Sequence, residues 1–193
     1  MPEHREPPPT DWVEELRSRF TKRRANRRRA LAVSACAVPI AALMATLLWP
    51  PRPLLLWNAS ASSPIGLYYV GSAEGVLTGD MVIAWPPEAA RRLGAERHYL
   101  PYNVPLVKRV AAVAGDRLCA VGDAVFVNGR LETQRRVNDP SGRPMPWWTG
   151  CEDIAPGDLF LLTPGVGQAF DGRYFGVTRE DRIVGSARLL WRR

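Results

Sequence analysis

The segment VPLVKRVAAVAG, residues Val104 to Gly115, decides the fold. A valine-rich apolar run that ends in glycine is typical of a β-strand. Alternation along a strand places Leu106, Lys108 and Val110 on one face. Arg109 then lies on the opposite face, toward solvent or an acidic partner. The segment therefore predicts a strand that carries a lysine among apolar side chains.

Short apolar stretches separated by turns lie on both sides of this segment. Four of them begin with a Gly-Asp step, in which glycine permits the turn and aspartate can bond the following backbone. These four are GDMVIAW at Gly79, GDRLCAV at Gly115, GDAVFV at Gly122 and GDLFLL at Gly157. The Asn-Gly in residues 126–131 indicates a hairpin, residues 182–191 indicate another long strand, and only residues 86–98 indicate a helix. We predict a mainly antiparallel β domain.

An uncharged stretch of 20 residues, Ala30 to Trp49, precedes this domain. At about 1.5 Å of rise per residue, a helix of this length matches a bilayer core of about 30 Å. Pro39 does not exclude a transmembrane helix, and Trp49 occupies the end where an interfacial aromatic residue is expected. A buried core helix is the alternative, but the long uncharged window favours a membrane span.

The basic run KRRANRRR, Lys22 to Arg29, lies immediately before the apolar stretch. The positive-inside rule keeps this end in the cytoplasm and exports the remainder of the chain. The predicted organisation is a cytoplasmic basic tail with one short helix over residues 1–29, a transmembrane signal anchor over 30–49, a linker and first strand over 50–57, and an exported domain over 58–193. Pro50 to Pro53 act as a stiff spacer.

The composition excludes several functions. Residues 1–29 carry nine basic and five acidic side chains, so the positive charge is concentrated near the N-terminus and not on a nucleic-acid-binding face. His98 is the only histidine in the exported part and has no evident partner for a Ser-His-Asp triad. The spacing of potential ligands fits no zinc site, and there is no glycine-rich phosphate loop. We expect neither a metal nor a cofactor.

A serine with a lysine base remains as the chemistry. The only lysines are Lys22 and Lys108, and arginine cannot release its proton at a useful pH. A lysine acts as a base only when burial lowers its pKa, and an apolar strand face supplies that environment for Lys108. An edge-strand lysine that discourages aggregation is the alternative. The serines cluster in NASASSPIGLYYV, Asn58 to Val70, which is also compatible with an ordinary polar turn.

Three motifs resemble those of the type I signal peptidase superfamily, and specifically of its TraF-type branch, which matures pilin subunits during conjugative transfer. The first motif falls on Asn58, Ser60, Ser62, Pro64, Gly66 and Tyr68. The second falls on Lys108, Arg109, Val110, Gly115 and Asp116. The third covers residues 169–177 and includes Asp171 and Arg173. The resemblance extends from about Leu54 to Trp191.

The resemblance assigns a role to each residue in these motifs. It makes Ser62 the nucleophile and Lys108 the general base, with the Ser60 hydroxyl and the Ser62 N–H binding the oxyanion. Asp171 takes a catalytic or supporting role, or pairs with Arg173 only to fix the loop. Ala169 and Gly172 replace serines of the relatives, and the serine at position 169 holds the lysine amine there. The remaining supporting residues would be Asn58, Pro64, Gly66, Arg109 and Arg173.

The implied protein is a membrane-anchored serine endopeptidase that processes exported precursors, above all conjugative pilins, through an acyl-enzyme. It would cross the bacterial inner membrane once, with its N-terminus in the cytoplasm and a periplasmic peptidase domain over residues 58–193. Water would release the product, or the substrate's own amine would release it as a ring. Its partners would be the membrane and a protein substrate. The alternatives are a general type I signal peptidase and a catalytically impaired relative that acts in assembly.

The cysteines agree with this topology. Cys36 lies within the predicted span, whereas Cys119 and Cys151 would face an oxidising compartment. These two cysteines also match features of TraF-type proteins. A disulfide between Cys119 and Cys151 and a pair of buried free thiols are both compatible with the sequence.

Overall fold

The computed structural model describes residues 10–48 and 52–193, which fall in two compact units, residues 1–51 and residues 52–193. The first unit contains one long helix, α1 (Thr10–Leu48). Within it, Leu16–Leu48 includes a window with a mean hydropathy of 2.2, which makes this helix long and apolar enough to cross a membrane. Among the described residues it is the one helix that meets this criterion. Trp49, Pro50 and Pro51 lie outside the described residues.

Helix α1 is longer than the sequence analysis predicted. Instead of one short helix in a polar tail, a continuous helix begins at Thr10 and runs through the basic segment into the apolar one. Neither glycine nor proline occurs between Thr10 and Val38, and arginine, lysine, leucine and alanine are good helix formers. Pro39 lies within the helix without ending it.

The second unit contains eleven strands, two short α-helices and one 3-10 helix (Glu180–Arg182) among its described residues. The strands are β1 (Leu55–Asn58), β2 (Gly66–Val70), β3 (Met81–Ala84), β4 (Leu106–Ala112), β5 (Arg117–Val121), β6 (Ala124–Val127), β7 (Arg130–Gln134), β8 (Gly150–Asp153), β9 (Asp158–Leu162), β10 (Thr178–Arg179) and β11 (Ile183–Arg192). The α-helices are α2 (Glu88–Glu96) and α3 (Gly172–Phe175).

The strands form two antiparallel sheets. The larger sheet has the order β1-β2-β11-β3-β4-β9-β10, and the smaller has the order β7-β6-β5-β8. Every pair of neighbouring strands is antiparallel. The predicted fold class, a mainly antiparallel β domain that follows one apolar N-terminal helix, is confirmed.

Glycine positions the strands as the sequence predicted. The four Gly-Asp steps lead into β3, β5, β6 and β9, and their glycines have φ angles of 99°, 90°, 57° and 84°. These values lie in the left-handed region, where glycine has no steric cost. Asn128 and Gly129 also have positive φ angles, 50° and 78°, and they connect β6 to β7 in the predicted hairpin.

Strand β4 lies at the centre of the domain. Its residues enter three apolar clusters, through Val107, through Val110, and through Ala111 with Ala112. Both faces of this strand are largely buried, and Arg109 is its one residue of intermediate exposure. Lys108 is only 1% exposed.

Candidate active site

Asn58 organises the loop that carries Ser62. This buried side chain lies at the end of β1, and its Nδ2 donates to the carbonyls of Ser60, Ser63 and Pro64 at 3.0, 3.2 and 3.1 Å. Its Oδ1 accepts the Ser60 N–H at 3.1 Å. The Ser63 hydroxyl donates to the Val107 carbonyl at 2.7 Å, which ties the loop to β4. Ser62, between these attachments, remains half-buried.

Pro64 and Gly66 also have structural roles in this loop. The Pro64 carbonyl accepts a hydrogen bond from the Tyr68 hydroxyl at 2.8 Å. Gly66 lies beside β11, where a Cβ atom would be 2.0 Å from the Trp191 carbonyl oxygen. Glycine is therefore required for the close approach of β2 and β11 at the base of the loop.

Lys108 reaches the loop from the centre of the larger sheet. Its Nζ lies 3.0 Å from Ser62 Oγ and 2.8 Å from Thr163 Oγ1. Burial lowers the pKa of the amine from 10.5 to about 8; the charge of Asp171 opposes this decrease, and that of Arg173 adds to it. A neutral amine has one lone pair, so it can accept the Ser62 proton while donating to Thr163. The geometry fits a serine with a lysine base.

Thr163 is held by Asp171 and Arg173. The Thr163 N–H donates to Asp171 Oδ2 at 2.9 Å, and the Thr163 carbonyl accepts from Arg173 Nη2 at 2.9 Å. The carboxylate and the guanidinium also pair directly, with Arg173 Nε 2.7 Å from Asp171 Oδ1. Both side chains are at most 1% exposed. The ion pair therefore fixes both peptide groups of the residue that contacts Lys108.

Asp171 is connected to Lys108 through Thr163. In the described part of the chain its carboxylate accepts four hydrogen bonds, one from Thr163 and three from Arg173. These bonds occupy the lone pairs of the carboxylate. The contacts are those of a group that fixes the loop and the position of Thr163.

Sequence reasoning missed Thr163. It directed attention to position 169, where the buried Ala169 has no hydroxyl for the lysine. Strands β4 and β9 pair with Arg109 opposite Leu162, so the next residues, Lys108 and Thr163, lie side by side. A threonine directly after the strand of GDLFLL was the available signal, but its partner depends on a register that the sequence does not reveal.

Ser60 contacts Ser62 in this structure. Its hydroxyl lies 3.0 Å from Ser62 Oγ and accepts the Ser62 N–H at 3.4 Å. The two groups predicted to bind the oxyanion, the Ser60 hydroxyl and the Ser62 N–H, therefore lie next to each other and close to Ser62 Oγ. His98, by contrast, is exposed after α2 and lines neither of the two cavities that open on Ser62.

Ser62 lies between two cavities, each of about 490 Å³. The lysine-side cavity is lined by Ser60, Lys108, Ala169, Phe170 and Tyr174, among others. The arginine-side cavity is lined by Met81, Arg109, Leu162, Thr163 and Arg192, among others. Arg109 was predicted to face solvent or an acidic partner; it is half-buried and lines this second cavity.

A disulfide joins Cys119 and Cys151, which are directly opposite each other on β5 and β8. Strand β8 is an edge strand of the smaller sheet, so the bond attaches it covalently to its neighbour. Cys36 is a free cysteine on α1.

Comparison with known proteins identifies the family. The family model of the signal peptidases, peptidase S26, matches residues 27–192. The chain belongs to the S26 signal peptidase family. A protein substrate follows from membership of a peptidase family, and the N-terminal apolar helix is a candidate membrane anchor.

Similar proteins indicate the TraF-type branch of the S26 family. The plasmid transfer protein TraF of Escherichia coli is 32% identical over 66% of this chain and 77% of its own length. The probable conjugal transfer protein TraF of Sinorhizobium fredii is 34% identical over 67% of this chain and 73% of its own length. A signal peptidase I structure from Enterococcus faecalis V583 has a TM-score of 0.34 at 16% identity, over 58% of this chain and 97% of that one. The chain is a TraF-type member of the S26 family.

Proposed function

We propose that this protein is a membrane-anchored serine endopeptidase that processes exported pilin precursors during conjugation, with Ser62 and Lys108 as its dyad. The observation that carries the proposal is the 3.0 Å contact between Lys108 Nζ and Ser62 Oγ, in surroundings that lower the lysine pKa to about 8. A base with a pKa near the working pH is effective in proton transfer.

The proposed reaction begins with neutral Lys108 taking the proton of Ser62 as Ser62 Oγ attacks the scissile carbonyl. The Ser62 N–H and the Ser60 hydroxyl stabilise the oxyanion, for which the Ser60 hydroxyl turns from Ser62 Oγ to the substrate oxygen. Protonated Lys108 then gives its proton to the leaving amine, and an ester on Ser62 remains. Water hydrolyses this ester, or the substrate's own N-terminal amine displaces Ser62 and closes a ring.

Asp171 is a positioning residue in this proposal, because it acts through Thr163. Arg173 neutralises its charge and shares the same role. A buried carboxylate without that partner would carry a large desolvation cost. The pair thus keeps the Thr163 hydroxyl directed at Lys108 throughout the reaction.

The relatives and helix α1 support the proposed substrate class. The similar proteins are named for plasmid and conjugal transfer, which places the proposed role in conjugation. The basic run 22–29 before the apolar residues favours a cytoplasmic N-terminus and a periplasmic peptidase domain. An anchor also raises the local concentration of membrane-bound precursors.

The dyad is tested by mass spectrometry of a conjugative pilin precursor that is co-expressed with the full-length protein. Ser62→Ala and Lys108→Ala should each abolish processing, because each removes an essential partner of proton transfer. Ser72→Ala and Lys22→Ala are matched controls that should process normally. The mass also distinguishes the products, since a ring is lighter than the linear product by one water. Full processing by either dyad variant would contradict the mechanism.

The two alternatives give different results. An impaired relative would leave Ser62 unlabelled by an acylating active-site probe; the Thr163 contact to Lys108 weighs against it, since a hydroxyl partner is present despite Ala169. A general signal peptidase would restore secretory processing in a host depleted of its own enzyme. We expect labelling in the first assay and no rescue in the second.

A further inference from the structure

Three arginines line the arginine-side cavity. They are Arg109, Arg192 and Arg193, and the cavity lining, as far as the structure describes it, includes no aspartate or glutamate side chain. The cavity also contacts Ser62 itself. A site of one sign of charge beside a nucleophile attracts ligands of the opposite sign.

The position of Arg109 in this cavity is fixed by the neighbouring strands. In the larger sheet Arg109 lies opposite Met81 on β3 and Leu162 on β9, and all three side chains line the cavity. The guanidinium therefore emerges from a fixed position between two apolar neighbours on a central strand. A side chain held in this way is better preorganised than an arginine on a loop.

Arg109 has no partner in the described part of the chain. Its Nε is buried without a hydrogen bond. None of the ion pairs among the described residues includes it. Arg173, by contrast, is fully paired with Asp171. Leaving a buried polar group unpaired is costly, so Arg109 is a candidate for pairing with a ligand.

The arginine-side cavity lies where a substrate bound at Ser62 would extend. The arginine-side and lysine-side cavities share Ala61, Ser62 and Val166, whereas Ser60 and Lys108 line only the latter. An extended peptide with its scissile carbonyl at Ser62 would place residues of one side of that bond in the arginine-side cavity. An arginine fork matches the two oxygens of a carboxylate.

We propose that the arginine-side cavity is a subsite in which Arg109 binds a carboxylate of the substrate close to the scissile bond. This inference rests on the proposed peptidase function, which it deepens. The carboxylate belongs either to an acidic side chain next to the cleavage site or to a free C-terminus of the substrate. Both sources present the same chemistry to Arg109.

The test uses the full-length enzyme in detergent and a panel of internally quenched peptides. In each peptide one glutamate is moved stepwise through the residues that flank the scissile bond, and a matched peptide has glutamine there. Each is made with a free and with an amidated C-terminus. The wild-type enzyme should favour the carboxylate in one position by about tenfold to a hundredfold in kcat/KM, which corresponds to one charge-assisted hydrogen-bonded pair.

Variants connect this preference to Arg109. Arg109→Met should lose the preference and cleave the acidic and neutral peptides with equal kcat/KM, and Arg109→Lys should retain part of the preference. Arg188→Met, an exposed arginine on β11 outside the cavity lining, should behave as wild type. A preference for glutamate identifies a side-chain carboxylate, and a preference for the free C-terminus identifies a terminal one.

Different results would exclude the subsite alone and the peptidase activity as a whole. Equal cleavage of the acidic and neutral peptides by the wild type overturns the subsite and leaves the peptidase intact, and this comparison needs no variant that folds. A preference that survives Arg109→Met also overturns it. Cleavage of no peptide, together with no acylation of Ser62, overturns the peptidase and the subsite with it.

Discussion

At the scale of single residues, Lys108 combines two properties that normally conflict. Burial makes its charged form unfavourable, yet two hydroxyls, of Ser62 and Thr163, are within hydrogen-bonding distance of its amine. The result is a lysine pKa of about 8 instead of 10.5. At pH 7 about a tenth of the amine is therefore neutral, and the two hydroxyls can accept from it or donate to it in either protonation state.

The lysine pKa predicts how the reaction depends on pH. Only neutral Lys108 can accept the Ser62 proton, so acylation of Ser62 should rise with pH and level off above about 8. Below that pH the rate should fall about tenfold per pH unit, in proportion to the neutral fraction. The measurement is the rate of Ser62 labelling by a neutral acylating probe as a function of pH. A rate that is flat on both sides of pH 8 would exclude Lys108 as the base.

Thr163 is the second residue that the geometry singles out. Thr163→Val removes the hydroxyl at 2.8 Å from Lys108 Nζ but keeps the shape of the side chain. The acylation rate should fall by about tenfold or more, because a hydrogen bond to a chargeable group is lost. The midpoint of the pH profile should also decrease, because the ammonium loses an acceptor. Thr163→Ser, which retains the hydroxyl, is the control and should behave almost as wild type; an unchanged midpoint in Thr163→Val would refute the role.

Residue identity was predictable where a motif is continuous in sequence. The serine loop and Lys108 were predicted as nucleophile and base from such motifs, and their assignment stays a prediction that the dyad variants test. Thr163 was not predictable, because it meets Lys108 only through the β4–β9 register, across a sequence separation of 55 residues. The cavity role of Arg109 was missed for a similar reason, since its surroundings come from strands on both sides.

At the scale of elements, the residues that form turns were the best guide to where the strands begin. Each Gly-Asp step begins a strand because a left-handed glycine reverses the chain there. Strand β8, with the sequence GCED, has no apolar periodicity and was not predicted; its four residues are exposed and depend on pairing with β5. The start of α1 was also missed, because a charged helix has no apolar stripe to indicate it.

In the segment from Thr163 to Arg173, Gly172 has no room for a side chain. A Cβ at this position would lie 2.8 Å from the Leu161 carbonyl oxygen and 2.8 Å from the Phe160 ring. Gly172→Ser should therefore destabilise the domain by about 1–3 kcal/mol through overpacking.

The matched control for this change lies in the same segment. Gly167 has open space around its Cβ position, so Gly167→Ser should leave stability within about 0.5 kcal/mol of wild type. Chemical denaturation of the purified variants measures both values. Equal stability of the two serine variants would mean that Phe160 and the neighbouring backbone relax without cost.

At the scale of the whole molecule, the candidate active site combines residues from distant parts of the larger sheet and its loops. Ser62 and Lys108 are 46 residues apart in sequence. Asp171 and Arg173, which hydrogen-bond Thr163, follow β9. No single segment of the chain contains the site. The disulfide stabilises a different part, the smaller sheet, where a bridge across 32 residues contributes about 3–4 kcal/mol by restricting the unfolded chain.

The same disulfide reports the compartment of the domain. A Cys36→Ala chain has only Cys119 and Cys151, and this bond persists in an oxidising compartment but not in the cytoplasm. If α1 exports the domain, both thiols should resist alkylation in cells until a reductant is added. Changing the six basic residues of 22–29 to glutamine removes the orientation signal. A fraction of the molecules should then insert in the opposite orientation and carry reactive thiols. Thiols that react without reductant in the chain with its basic run intact would mean that the domain stays in the cytoplasm, and the proposed periplasmic processing would fail with it.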